Sequence, residues 1–151
     1  VTREFVRYYE ADPISNTTAF AGVSDVVAGF ARLGLKQGVC TNKFEKPSRM
    51  IREHLKLMPP ISDVAGGDSF PVRKPDPRHI LMLLERIGRP PDRAVMVGDS
   101  VHDVEAAHAA GLPAVLVSWG YTDRPASELG AEAVIERFDA LPQALERLAS
   151  R

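Results

Sequence analysis

Sulfur chemistry is nearly missing from this sequence: Cys40 is its one cysteine. No disulfide can form within the chain, and the place of Cys40 in an apolar run reads as a small buried hydrophobe rather than a reactive thiol. No apolar run approaches the roughly 18 residues that cross a bilayer. The opening residues, Val1 to Glu10, alternate charge with aromatics where a signal peptide needs a continuous apolar stretch. These absences imply a cytoplasmic protein with no membrane partner. A charge excess is lacking too, since 19 Lys and Arg face 20 Asp and Glu, a formal net charge of -1. Without a basic field to concentrate phosphate backbones, nucleic acid is not an expected partner, although a small anion bound locally is compatible with the composition. Repeats, low-complexity tracts and flexible linkers are also absent.

What is present is an ordinary globular balance, 44% hydrophobic and 26% charged over 151 residues, enough for one domain with a single sizeable core. The start at Val1 rather than Met carries the expectation that something upstream has been removed. Helices and strands alternate in the pattern. Helices are expected at about Gly22 to Leu33, Lys46 to Leu55, Asp76 to Ile87, Val101 to Ala110 and Leu141 to Ala149. Strands are expected at Leu35 to Cys40, Asp63 to Ala65, Arg93 to Val97, Ala114 to Val117 and Ala133 to Ile135. Such alternation calls for an α/β fold, a mostly parallel sheet with helices on both faces. Asp76 and Pro77 supply an N-cap and a first-turn proline, and Gly34, Gly88 and Gly111 end their helices. Thr2 to Glu10 has apolar residues at positions 5, 6 and 9 and is followed by Asp12-Pro13, the signature of a helix and its breaker.

Three local signals carry chemistry. In Val95-Met96-Val97-Gly98-Asp99-Ser100-Val101-His102-Asp103 an apolar strand ends in Gly-Asp, and a second aspartate lies one helical turn on. Both carboxylates can therefore face the crevice where open parallel sheets bind ligands, and the pair suits a hard cation such as Mg²⁺. Capping of the helix by the same aspartates explains the spacing equally well. In Gly38-Val39-Cys40-Thr41-Asn42-Lys43 another strand ends in a hydroxyl and an amide, suitable donors to a phosphoryl oxygen and also ordinary turn residues. In Arg73-Lys74-Pro75-Asp76-Pro77, Pro75 forces Lys74 toward an extended backbone and so fixes where its stem points; a lone lysine elsewhere is a solvated charge.

The order of these signals resembles motifs two to four of the haloacid dehalogenase superfamily. Gly66 through Pro77, Gly98 through Ala107, Trp119-Gly120-Tyr121 and Ala133-Val134-Ile135 look like phosphoglycolate phosphatases. The resemblance implies a Rossmann-like core and a Mg²⁺-dependent phosphomonoester hydrolase working through an aspartyl-phosphate. Its substrate would be a small phosphorylated metabolite, 2-phosphoglycolate first among them, with pyrophosphate or a nucleoside monophosphate as alternatives, and the enzyme a monomer or homodimer. Carried over residue by residue, it implies that Thr41 binds the transferring phosphoryl group with Asn42 beside it. Lys74 would neutralise charge shared by nucleophile and phosphate, Asp99 would bind the metal, and Asp103 would complete the metal site and hold Lys74. Gly98 in place of glutamate disfavours the related mutases.

One departure matters. The family's Asp-x-Asp, source of the nucleophile and the general acid-base, occurs nowhere in this sequence. It belongs on a first strand at the centre of the sheet, between the strands ending at Thr41 and Asp99, followed by a helical cap. Residues 1–19 thus read as the end of a cap and its linker, and residues 20–151 as an incomplete core without its central strand. The expectation for this chain by itself is no turnover, so a non-catalytic core that binds phosphate or a partner is the competing reading. His102 and His108 are expected to face solvent, Met50, Met58, Met82 and Met96 to fill core, and Trp119 to pack or to line the pocket.

Overall fold

Every strand pairing in the computed structural model, which describes residues 11–151, is parallel. The helix expected over Thr2 to Glu10 lies outside the described residues. Strand β1 (Gln37–Cys40) pairs with β2 (Ile61–Ala65), and β3 (Met96–Gly98), β4 (Ala114–Val117) and β5 (Ala133–Ile135) form a second sheet in that order. Among the described residues no pairing joins β1 to β3. Helices α1 (Val23–Arg32), α2 (Glu45–His54), α3 (Arg78–Arg86), α4 (Val101–Ala109) and α5 (Leu141–Ala149) connect or follow the strands. None of the described helices is long and apolar enough to cross a membrane.

Strand β4 shows why helices cover both faces. Its residues are apolar without interruption, and alternate side chains point to opposite sides. Ala114 and Leu116 pack with Ile80 and Leu84 of α3 and with Val104, Ala106 and Ala107 of α4. Val115 points the other way, to Val26 of α1, Ile135 and Leu141 of α5. A third cluster, Val27, Leu57 and Ile61, closes the other sheet beneath α1.

The boundaries depart from expectation where the backbone has competing local bonds. Strand β1 begins at Gln37 rather than Leu35, because Leu35 N–H bonds back to Phe30 O and Gly34, at φ 76°, takes the left-handed conformation that closes α1. Strand β3 begins at Met96 rather than Arg93, because Pro91–Arg93 form a 3₁₀ turn closed by Ala94 N–H to Pro91 O. Regular helix α3 starts only at Arg78, so Pro77 stands at the N-cap position where Asp76 was expected, although Asp76 Oδ1 still accepts Arg78 N–H at 2.9 Å. Met50, Met82 and Met96 are half-buried, but Met58 is 48% exposed, a correction to its expected core role: its neighbour Leu57 takes the buried position, at 9%.

Candidate active site

The carboxyl ends of β1 and β3 open onto one cleft of about 320 Å³, lined by Thr41, Lys74, Asp99, Asp103 and Trp119 over an apolar floor that includes Cys40 and Met96. A groove of about 410 Å³ along α2 is larger. It contains none of the candidate residues, and its Glu45 is already paired with Arg49 at 2.7 Å. The candidate residues therefore gather in the cleft between the two sheets.

Lys74 comes from the loop between β2 and α3 and reaches across the end of β1. Its Nζ donates to Cys40 O at 2.8 Å and to Asp103 Oδ1 at 2.5 Å. Both side chains are removed from water, Lys74 at 9% and Asp103 at 5% exposure. The other oxygen of Asp103 accepts from Asp99 N–H at 2.9 Å, and from Ser100 N–H and Ser100 Oγ at 3.0 Å each. Ser100 in turn caps α4, so serine and aspartate form a capping box. Burial pushes the Asp103 carboxyl up, but the Lys74 charge and these hydrogen bonds outweigh it and hold the group below the ordinary range. Asp103 thus belongs to the capping box of α4 and pairs with Lys74 at the same time. Gly98 is required here, since a Cβ there would overlap Asp103 Oδ2.

Asp99 is in a different state. Burial first, and then the neighbouring Asp103 charge, raise its carboxyl above the ordinary value. No side chain among the described residues donates a hydrogen bond to it. Gly120 lets the loop after β4 pass directly over Asp99, where a Cβ would overlap the aspartate's own Cβ. A half-buried carboxylate raised in this way is a fit donor for a hard cation, which would relieve the repulsion from Asp103. The described residues contain no group of three or more His, Cys, Asp or Glu placed to hold a metal. A Mg²⁺ here would rest on Asp99, with Asp103 behind it and the remaining oxygens from water or ligand, an arrangement typical of that ion.

Thr41 continues the β1 ladder, its N–H donating to Ala65 O at 2.9 Å, and its Oγ1 accepts from Lys43 N–H at 3.1 Å. That turn aims the hydroxyl into the cleft entrance. Asn42 next to it is directed elsewhere: Nδ2 donates to Lys74 O at 2.9 Å and Oδ1 accepts from Lys74 N–H at 3.0 Å. The loop that carries Lys74 docks on the loop after β1 at its other end too. Gly67 N–H donates to Lys43 O at 2.8 Å, and Cβ atoms at Gly66 or Gly67 would overlap the backbone of Glu45 or Asn42.

One contributor, His79, escaped the sequence reading. His79 is wholly buried, with Nε2 3.0 Å from Gly66 O and Nδ1 3.8 Å from Cys40 Sγ, so it ties α3 to the loop after β2 and to the end of β1. Burial lowers its imidazole below the ordinary value, and the Lys74 charge adds to that. The Gly66-Gly67 pair was the one local signal for this close docking. Trp119 lines the cleft edge-on to Phe20 at 5.6 Å, and its buried Nε1 has no hydrogen-bond partner among the described residues. Burial raises the Cys40 thiol to about 11, which removes it as a nucleophile at neutral pH. His102 and His108 lie on the outer side of α4, His108 bound to Glu132 at 3.0 Å.

Comparison with known proteins gives a consistent result. A family model described as haloacid dehalogenase-like hydrolase matches residues 1–117. A phosphoglycolate phosphatase of Rhodospirillum rubrum is 44% identical, the match covering 91% of this chain and 57% of that protein. One from Mesorhizobium japonicum is 41% identical over 95% of this chain and 64% of its own length. The crystal structure of a predicted phosphoglycolate phosphatase from Haemophilus somnus superposes with a TM-score of 0.88 at 26% identity, covering 95% of this chain and 64% of that one. The chain spans about three fifths of the length of these curated relatives.

Proposed function

Because this chain belongs to the haloacid dehalogenase-like hydrolase family, we propose that it is the larger part of the catalytic core of a Mg²⁺-dependent phosphomonoesterase whose substrate is 2-phosphoglycolate. The observation that carries this reading is the convergence of Thr41, Lys74, Asp99 and Asp103 on one cleft from separate elements of the chain. Phosphoryl transfer needs alignment and charge neutralisation more than acid-base strength, and the cleft offers both. Thr41 donates its hydroxyl to a phosphoryl oxygen. Lys74, held by Cys40 O and Asp103, places a fixed positive charge between the ends of β1 and β3. Asp99 holds the metal. When bound, Mg²⁺ supplies Lewis-acid charge to the phosphoryl oxygens.

The substrate assignment follows the names of the relatives. Residues 1–19 belong in this reading to a cap and its linker, and residues 20–151 to a core whose β1 and β3 flank a further strand bearing the nucleophile. For the chain by itself a second reading applies, favoured by the absence of any Asp-x-Asp from the sequence: it binds phosphate without turnover.

The test is orthophosphate release from 2-phosphoglycolate, pyrophosphate and a nucleoside monophosphate, measured for the product of the complete gene and for this chain alone. The reading predicts Mg²⁺-dependent release from 2-phosphoglycolate by the former, lost with EDTA and in Asp99→Asn, and none by the latter. No release from any phosphomonoester by the complete product would overturn it.

A further inference from the structure

Asn42 follows Thr41 at the mouth of the cleft, where an amide would be expected to face a bound anion. Instead, both hydrogen bonds of its side chain go to the main chain of a single residue, Lys74, one donated at 2.9 Å and one accepted at 3.0 Å. The amide is matched to Lys74 as one strand residue is to its neighbour: donor to carbonyl, acceptor to N–H. Lys74 has no regular secondary structure to hold it. Among the described residues, those two bonds are the only ones made by its backbone.

The rest of the loop is held by other means. At its start Gly67 N–H bonds to Lys43 O, and Asp68 Oδ1 accepts from Glu45 N–H at 2.7 Å. In its middle Phe70 lies beneath the Arg86 guanidinium at 4.9 Å. Closer to the lysine, Asp76 N–H bonds to Arg73 O at 3.0 Å and closes a turn around Lys74 and Pro75, but that bond is local and does not tie the turn to the end of β1. The ammonium is gripped at its tip by Cys40 O and Asp103, but a four-carbon stem on an untethered loop would let that grip open readily. We propose that Asn42 is the positioning residue of Lys74, acting through the lysine's backbone and tying it to the turn that carries Thr41, so that hydroxyl and ammonium are presented as one rigid unit. That this unit faces a phosphoryl group rests on the function proposed above; the positioning itself does not.

The experiment is competitive acetylation of the folded chain with an N-hydroxysuccinimide ester, with the Lys74 rate read by mass spectrometry. Cys40, one residue before Thr41 and largely buried, reports loosening of the same region through its rate with a thiol reagent. In Asn42→Ala the Lys74 rate is expected to rise roughly ten- to a hundred-fold, the factor that two hydrogen bonds of ordinary net strength supply to a local opening. The Cys40 rate should stay near the wild-type value, while Tm falls by the few degrees that the same two bonds are worth to the native state. Asn42→Asp keeps an acceptor for Lys74 N–H and loses the donor to Lys74 O, so it should fall between the two, and it serves if the alanine variant does not fold. An unchanged Lys74 rate in the variants, or one that rises in step with Cys40, would overturn the proposal. Because labelling reads the lysine and not turnover, failure of the phosphatase reading leaves this outcome untouched.

Discussion

The buried pair of Lys74 and Asp103 should be a strongly coupled unit, and a double-mutant cycle measures it. Lys74→Met leaves Asp103, 5% exposed, with a charged oxygen that has lost its 2.5 Å partner. Asp103→Asn leaves the lysine charge against Cys40 O alone and weakens the capping box as well. Breaking a buried pair from either side costs about 3–5 kcal/mol. Because one side of this pair faces the cleft, about 2–4 kcal/mol is expected for each single variant, or roughly 4–16 °C in Tm for a chain of this size. With both charges removed, no unpaired charge remains buried. The double variant should therefore be about as stable as either single one, giving a coupling of about 2–4 kcal/mol in urea unfolding followed by circular dichroism. The sign of the pH dependence adds a second signature. The Asp103 carboxyl is held below its ordinary 3.8, so its contribution is complete above that pH and is lost as pH falls through the lowered folded value. In Lys74→Met only burial, the backbone bonds and the Ser100 Oγ bond remain, and the loss should begin at higher pH. Stabilities that add within about 0.5 kcal/mol would refute the reasoning.

Two further predictions rest on neighbouring groups. Burial lowers the His79 imidazole below its ordinary 6.5, so the folded chain favours the neutral ring; stability should be complete above pH 6.5 and fall below it by up to about 1.4 kcal/mol per pH unit. His79→Gln should flatten that slope in unfolding measured between pH 7.5 and 5, and an unaltered slope would exclude His79 as its source. Gly98→Ala forces a methyl into Asp103 Oδ2 and should lower stability by about 2 kcal/mol or more in thermal denaturation. Gly29→Ala, within α1 and meeting only the end of Arg32, should be neutral or stabilising by about 0.5–1 kcal/mol; equal effects at the two sites would remove the steric argument.

The order of elements was legible because it depends on local periodicity and punctuation. The continuous apolar run Ala114–Val117 marks a strand covered on both faces, and Gly34 and Gly111 mark helix ends whichever way the chain then folds. The candidate residues were legible for a related reason: Thr41 and Asp99 each follow a strand, and the carboxyl ends of parallel strands point to a common side. Strand starts were less legible, because the bond from Leu35 to Phe30 and the Pro91 turn compete with pairing on nearly equal terms.

By itself, then, the sequence determined the parallel α/β order, the chemical kinds at the cleft and the absence of an Asp-x-Asp from this chain. Tertiary structure alone decided how those groups divide the work. Asp99 and Asp103 are the same residue type four positions apart, yet one is raised by burial and its neighbour's charge while the other is lowered by a lysine 29 positions away. Asn42 looked like a partner for phosphate and holds the backbone of Lys74, 32 positions on. His79 looked like an ordinary helix residue and is a wholly buried tie from α3 to the loop after β2. In each case the deciding partner is distant along the chain, and hydrogen bonds and charge act over a few ångströms of space, a proximity that only packing creates.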